Sequence, residues 1–345
     1  MRKLGRAVLS GCLLCAAISG LHAAVQAKVP PILREPSIEE ETGVVISMRD
    51  GLHLVADVYR PSGPGRWPAI LVRTPYNRRS DGTRGYRYFA SRGYAVVIQD
   101  VRGRYASQGN FGFITQEGPD GNDTIDWIAH QPWSNGRVGM TGGSYLGMAQ
   151  WWAAVQQNPH LATIFPLVSG DDEYLDRYYS PGGAMRLGHR LLWLSENLTP
   201  RGMLRPSFES YTEHVPLRNS DVAATLLKLD VWRKAVDHPS YDKYWSKLSI
   251  RQQLGKVSIP VCSMGGWFDN YCESDLDAFR TLSKRARPTE IWIGPWAHNF
   301  ATKFPTRNFG MNADVSVRKL QLAWFDEYLN RSEPRPERHH ILHLF

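Results

Sequence analysis

The sequence predicts an α/β protein: a mostly parallel sheet with helices on both faces and a helical cap inserted between two strands. Three observations carry this. Short apolar runs of buried-strand character alternate with helical stretches, the pattern of a parallel sheet covered on both sides. One long interval, 171–249, breaks the rhythm with no good strand. A strand at 138–141 ends in small residues and a single serine just before a helix.

In chain order, the first 27 residues read as a leader. Arg2, Lys3 and Arg6 make a basic start, and Ala7 to Gly20 is an apolar run too short to span a bilayer comfortably. Val25-Gln26-Ala27 has the small residues a signal peptidase needs, so cleavage is expected after Ala27, giving a secreted or periplasmic protein with no lasting membrane association. Leu9-Ser10-Gly11-Cys12 also fits a lipoprotein box, but so little of the apolar run precedes Cys12 that cleavage after Ala27 is favoured.

The sheet domain is expected in two parts, 28–170 and 250–338. Val44 to Met48 and Leu52 to Tyr59 flank Arg49-Asp50-Gly51, a hairpin signal, and should form an antiparallel edge. Buried-type strands follow at 69–73, 94–99, 138–141, 163–168, 259–264 and 290–293. Helices are expected at 123–130, 146–157, 274–285 and 315–329. The cap, 171–249, is rich in Leu, Arg, Tyr and Trp at helical spacing. Residues 339–345 end the chain in the strand-like run Ile341-Leu342-His343-Leu344-Phe345, for which the sequence offers no partner strand.

Composition narrows the function. Twelve tryptophans and 42% hydrophobic residues in 345 exclude disorder. The net charge of +8 is scattered, so no basic stripe supports nucleic-acid binding. No Cys/His cluster has zinc-ligand spacing, and His339, His340 and His343 read as an incidental run, so neither metal nor cofactor is expected. Cys262 and Cys272 stand at opposite ends of a predicted strand and loop, beyond disulfide reach.

The chemistry centres on Gly142-Gly143-Ser144-Tyr145-Leu146-Gly147. A strained serine between strand and helix, with small neighbours, is a nucleophile elbow of the α/β-hydrolase fold. The spacing departs from the strict pattern, because glycine comes three residues after Ser144. A serine hydroxyl needs a base, and the base a carboxylate. Asp269 closes Met264-Gly265-Gly266-Trp267-Phe268-Asp269 after one strand, and His298 closes Ile293-Gly294-Pro295-Trp296-Ala297-His298 after the next. Taken singly, Asp269 also reads as a helix cap and His298 as a surface histidine. The order Ser, Asp, His, each at a strand's carboxyl end, favours a catalytic triad. The Tyr145 amide, next to the nucleophile, is one expected oxyanion donor. The loop after the first central strand, Arg73-Thr74-Pro75-Tyr76, offers the Tyr76 phenol as a second.

These segments, together with Gln99-Asp100-Val101-Arg102-Gly103, resemble the X-Pro dipeptidyl-peptidase and cocaine-esterase family, which includes the α-amino-acid ester hydrolases. The resemblance implies Ser144, Asp269 and His298 as triad, Tyr76 and Tyr145 at the oxyanion hole, and a helical cap over the site. It also implies that 339–345 begins a carboxy-terminal jelly-roll domain. Asp171, Asp172 and Glu173 can supply carboxylates for a substrate ammonium, although a helix start explains them as well. Tyr178, Tyr179 and Trp193 are candidates for the acyl pocket, although core packing explains them too. The leading function is hydrolysis of an acyl ester or amide through an acyl-enzyme. X-Pro peptide or α-amino-acid ester cleavage stands beside it, and an inactive remnant or binding module is the reading from another class.

Overall fold

Nine strands make one sheet in the order β1-β2-β4-β3-β5-β6-β7-β8-β11. The computed structural model describes residues 37–330 and 340–345. The leader, Cys12 and Ala27 therefore lie outside the described residues. The strands are β1 (Ile38–Ser47), β2 (His53–Pro61), β3 (Trp67–Thr74), β4 (Ala95–Asp100), β5 (Ser134–Gly143), β6 (Leu161–Leu167), β7 (Val261–Phe268) and β8 (Thr289–Ala297). A small ribbon, β9 (Lys303–Phe304) with β10 (Arg307–Asn308), precedes the last strand, β11 (His340–Leu344). β1, β2 and β4 pair antiparallel and all other neighbours in the large sheet are parallel. This is an α/β-hydrolase sheet.

The hairpin turns where Gly51 takes φ 82°, a conformation that costs glycine nothing. Every residue of β4 is buried, which is why it reads as a continuous apolar run and not an alternating one. The final helix, Val317–Phe325, covers one face. Its Gln321 and Trp324 donate to Thr141 and Thr163, both at 2.7 Å. A Cβ on Gly139 of β5 would stand 2.9 Å from Leu329 and 3.0 Å from Phe325, so this close approach requires glycine.

The helix expected at 123–130 begins six residues earlier, at Glu117. Gly118, Pro119 and Gly121 suggest a loop in sequence, but proline is tolerated in a first helical turn. Gly121 lets this helix approach the next one, where its Cβ would sit 3.1 Å from that of Ala153. The terminal run, expected without a partner, pairs in parallel with β8. The Phe345 amide donates to the Ile293 carbonyl at 3.0 Å, and His343 stacks on Trp292.

Between β6 and β7 the chain leaves the sheet for short helices, of which Leu187–Leu198 is the longest. They enclose their own core, with Trp232, Trp245, Leu191 and Leu194 fully buried. Ile38–Phe345 nevertheless forms one compact unit, so the cap is an excursion from the sheet domain. Cys262 and Cys272 are both buried free thiols.

Below the sheet's carboxyl edge lies a charged layer. Arg73, with no solvent exposure, donates to Glu117 at 2.9 Å and to Gln99 at 2.5 Å. Arg102 pairs with Asp120 and Arg78 with Asp100. Removing one partner of a buried pair strands the other charge. Arg73→Leu is therefore expected to cost about 3–5 kcal/mol, read as a lower urea midpoint. A loss under about 1 kcal/mol, the range of an exposed pair, would contradict this account of the layer.

Candidate active site

β5 delivers Ser144 to the carboxyl edge of the sheet, and the helix Tyr145–Ala154 starts at the next residue. Ser144 holds φ 58° and ψ −123°, a region side chains avoid. The neighbouring glycines explain how the turn closes. A Cβ on Gly142 would meet that of Leu146 at 2.5 Å, and one on Gly147 would meet that of Ser169 at 2.4 Å. The glycine three positions after Ser144 is thus fixed by contact with the end of β6, which accounts for the unusual spacing.

Asp269 follows β7 and His298 follows β8. His298 Nδ1 donates to Asp269 Oδ2 at 2.6 Å, and the other carboxylate oxygen accepts from the Tyr271 amide at 2.8 Å. With Nδ1 committed to the carboxylate, Nε2 is left as an acceptor. Asp269 is buried, while His298 keeps an open edge. Tyr271 links the two halves of the site, because its ring contacts His298 and lines the cavity at Ser144. Among the described residues the Ser144 hydroxyl has no hydrogen-bond partner. Proton transfer to His298 therefore needs the hydroxyl and imidazole to be brought into hydrogen-bond contact, as is common without substrate.

The two expected oxyanion donors are each fixed by neighbouring elements. The Tyr145 N–H opens its helix and has no carbonyl inside it to bond. The Tyr145 ring is anchored below, its hydroxyl donating to Glu117 at 3.0 Å. Tyr76 is held by the cap: Trp193 Nε1 donates to the Tyr76 hydroxyl at 3.1 Å. Indole nitrogen is a donor only, so Tyr76 accepts there and keeps its own proton for another acceptor.

The cavity at Ser144 is small, about 10 Å³, and is bounded by Phe113, Trp193, Glu173, Arg177 and Arg190. A larger chamber of about 570 Å³ shares Phe113, Ile114 and Glu173 with it. Trp193 lines the inner cavity and Tyr178 the larger chamber. Tyr179, Asp171 and Asp172 lie elsewhere. Tyr179 packs in the cap core, stacked on Tyr174, with its hydroxyl spent on the Ala235 carbonyl. Asp171 is buried against Arg251 at 3.0 Å, and Asp172 caps the Leu175 amide. Burial, then the charge of Asp176, raises Asp171 above the usual carboxylate range. Neither aspartate lines the cavity at Ser144, and both carboxylates are engaged within the protein.

Glu173, one of the three carboxylates expected at the start of the cap, reaches the cavity, and Arg177, His189 and Arg190 reach it without having been singled out in sequence. Glu173 pairs with Arg177 at 3.1 Å. Burial, then the charges of Arg190 and Arg177, lowers His189 to about 4. Arg190 stands three residues before Trp193, on the same helical face, and that spacing was the available clue.

Residues 50–299 match the family model described as X-Pro dipeptidyl-peptidase (S15 family). The cocaine esterase of Rhodococcus sp. (strain MB1 Bresler) is 33% identical over 314 residues, covering 84% of this chain and 54% of that protein. The chain spans about half the length of the curated relatives it matches. Two solved structures superpose with a TM-score of 0.72 at 24% identity. One is an aminopeptidase from a marine sediment Thaumarchaeota archaeon, covering 89% of this chain and 56% of that one. The other is an α-amino acid ester hydrolase, covering 92% and 59%.

The strain at Ser144 gives a test independent of catalysis. Glycine accepts φ 58° freely and alanine does not. Ser144→Gly should therefore be more stable than Ser144→Ala by about 1 kcal/mol, a strain of about 1–3 kcal/mol less the entropy glycine loses. Thermal melts of the two variants check this, and equal or reversed stabilities would mean that the elbow is unstrained.

Proposed function

Because the chain belongs to the X-Pro dipeptidyl-peptidase (S15) family, we propose that it is a serine hydrolase cleaving an acyl ester or amide through an acyl-enzyme. One observation carries the reading: the 2.6 Å contact of His298 with Asp269, on strand ends beside the strained Ser144. His298 removes the Ser144 proton as the oxygen attacks the carbonyl, and the imidazolium is stabilised by Asp269. The Tyr145 amide and the Tyr76 hydroxyl take the developing negative charge. His298 then returns the proton to the leaving group. Water repeats the sequence and frees Ser144 and the acid.

The ester or amide reading stands ahead of X-Pro peptide cleavage on a specific ground. A dipeptidyl peptidase must anchor a free ammonium. The carboxylates at the start of the cap are already engaged, Asp171 by Arg251, Asp172 by a backbone amide and Glu173 by Arg177. The leader sequence supports action outside the cytoplasm, in the periplasm or after secretion.

A fluorophosphonate probe should label the protein, and Ser144→Ala should abolish labelling and lower turnover by about 10⁴-fold or more. Near-normal turnover in Ser144→Ala would overturn the triad, and an unlabelled wild type would favour a binding module. Tyr76→Phe removes one donor to the oxyanion and should lower kcat about 10²–10³-fold with little change in KM. A change confined to KM would move Tyr76 to substrate binding.

A further inference from the structure

The cap helix Leu187–Leu198 carries Arg190 into the cavity that holds Ser144. The residue is 3% exposed. Its guanidinium lies 4.8 Å from the ring centre of Phe113, 4.6 Å from that of Tyr178 and 4.9 Å from that of Trp193. Aromatic faces attract the cation but leave its in-plane N–H donors unused. Nε and one Nη are closed off from solvent and meet no acceptor among the described residues. The Tyr178 hydroxyl is likewise buried and meets the edge of this guanidinium, short of a well-formed hydrogen bond.

Glu173, the acid that lines the same cavity, pairs with Arg177, on which Asp176 also acts. Arg190 forms no ion pair among the described residues. A buried cation without a counter-charge is strongly disfavoured, and natural sites of this kind are completed by an anion. The inner cavity, about 10 Å³, must widen toward the adjoining chamber to admit a carboxylate. The adjoining chamber of about 570 Å³ gives room for the rest of a ligand.

We propose that Arg190, with the Tyr178 hydroxyl, receives a carboxylate carried by the substrate, so that the ester or amide cleaved is an anionic one. The proposal rests on the serine-hydrolase reading for the reaction, not for the binding. A carboxylate fits better than a phosphate. It is planar and it matches the guanidinium fork. Arg190 is a specificity-determining residue here, and the bond broken is still the one at Ser144.

The test compares p-nitrophenyl hemiesters of succinate, glutarate and adipate with p-nitrophenyl pentanoate. The best anionic ester should exceed the neutral one in kcat/KM. Arg190→Gln should cut that preference roughly 10–100-fold, the worth of one charge-assisted hydrogen bond, chiefly through KM. No preference in the wild type, or an undiminished one in Arg190→Gln, overturns the proposal. Should Arg190→Gln not fold, Arg190→Lys keeps the charge and loses the fork, and an undiminished preference there overturns it as well. Calorimetry in the Ser144→Ala background separates this proposal from the reaction. Glutarate should bind at least about 10-fold more weakly once Arg190→Gln is added, and equal binding overturns the receptor. Arg190-dependent binding without any turnover in the wild type would leave the receptor standing and remove the hydrolase reading.

Discussion

Arg73 is fully enclosed, and a guanidinium in that position is tolerable only when acceptors surround it. Glu117 supplies the main one, and the same carboxylate accepts the Tyr145 hydroxyl through its other oxygen. One buried ion pair thereby joins β3, the helix Glu117–Ala129 and the first residue of the elbow helix. Tyr145, which follows Ser144, is held from below by the strand that leads to Tyr76. Arg102 with Asp120 and Arg78 with Asp100 extend the layer under the neighbouring loops. The charges in the Arg-Thr-Pro-Tyr and Gln-Asp-Val-Arg-Gly segments lie under the active edge and fix the backbone that presents the donors.

The elbow above this layer is a local cost held in place by packing. Ser144 accepts an unfavourable backbone because Gly142 and Gly147 let Leu146 and Ser169 close around it. Strain of this kind persists only where the surroundings leave no alternative. Here the buried helix Tyr145–Ala154 on one side and the β5–β6 ladder on the other leave none.

Much of this was legible before any coordinates. Strands buried on both faces announce themselves as short apolar runs, and the order of Ser144, Asp269 and His298 follows from strands that end just before each. The misplaced helix start at Glu117 had a physical source. Gly118 and Gly121 serve close packing against another helix, a tertiary demand that local propensity does not encode. Asp171, Asp172 and Tyr179 looked available because sequence does not show which partners a side chain already has. Arg190 was overlooked for the converse reason. Its burial and its missing acceptor are properties of three aromatic rings drawn from Phe113, Tyr178 and Trp193, which are dispersed along the chain.

The cap is therefore more than a cover. Trp193 holds the Tyr76 phenol so that its proton points away from the indole, which makes the placement of the proposed oxyanion donor a product of cap–core contact. On the opposite side Asp176 accepts Ser274 at 2.5 Å through its carboxylate and Asn270 at 2.8 Å through its carbonyl, next to Asp269. The cap thus touches both Tyr76 and the loop that carries Asp269. Arg190 lies on the same helix as Trp193, less than one turn away. A ligand that draws on Arg190 pulls on the element that positions Tyr76, so selectivity and transition-state stabilisation share one rigid helix. Such coupling favours substrates that engage the guanidinium, because binding energy collected there helps to hold the oxyanion donor in place.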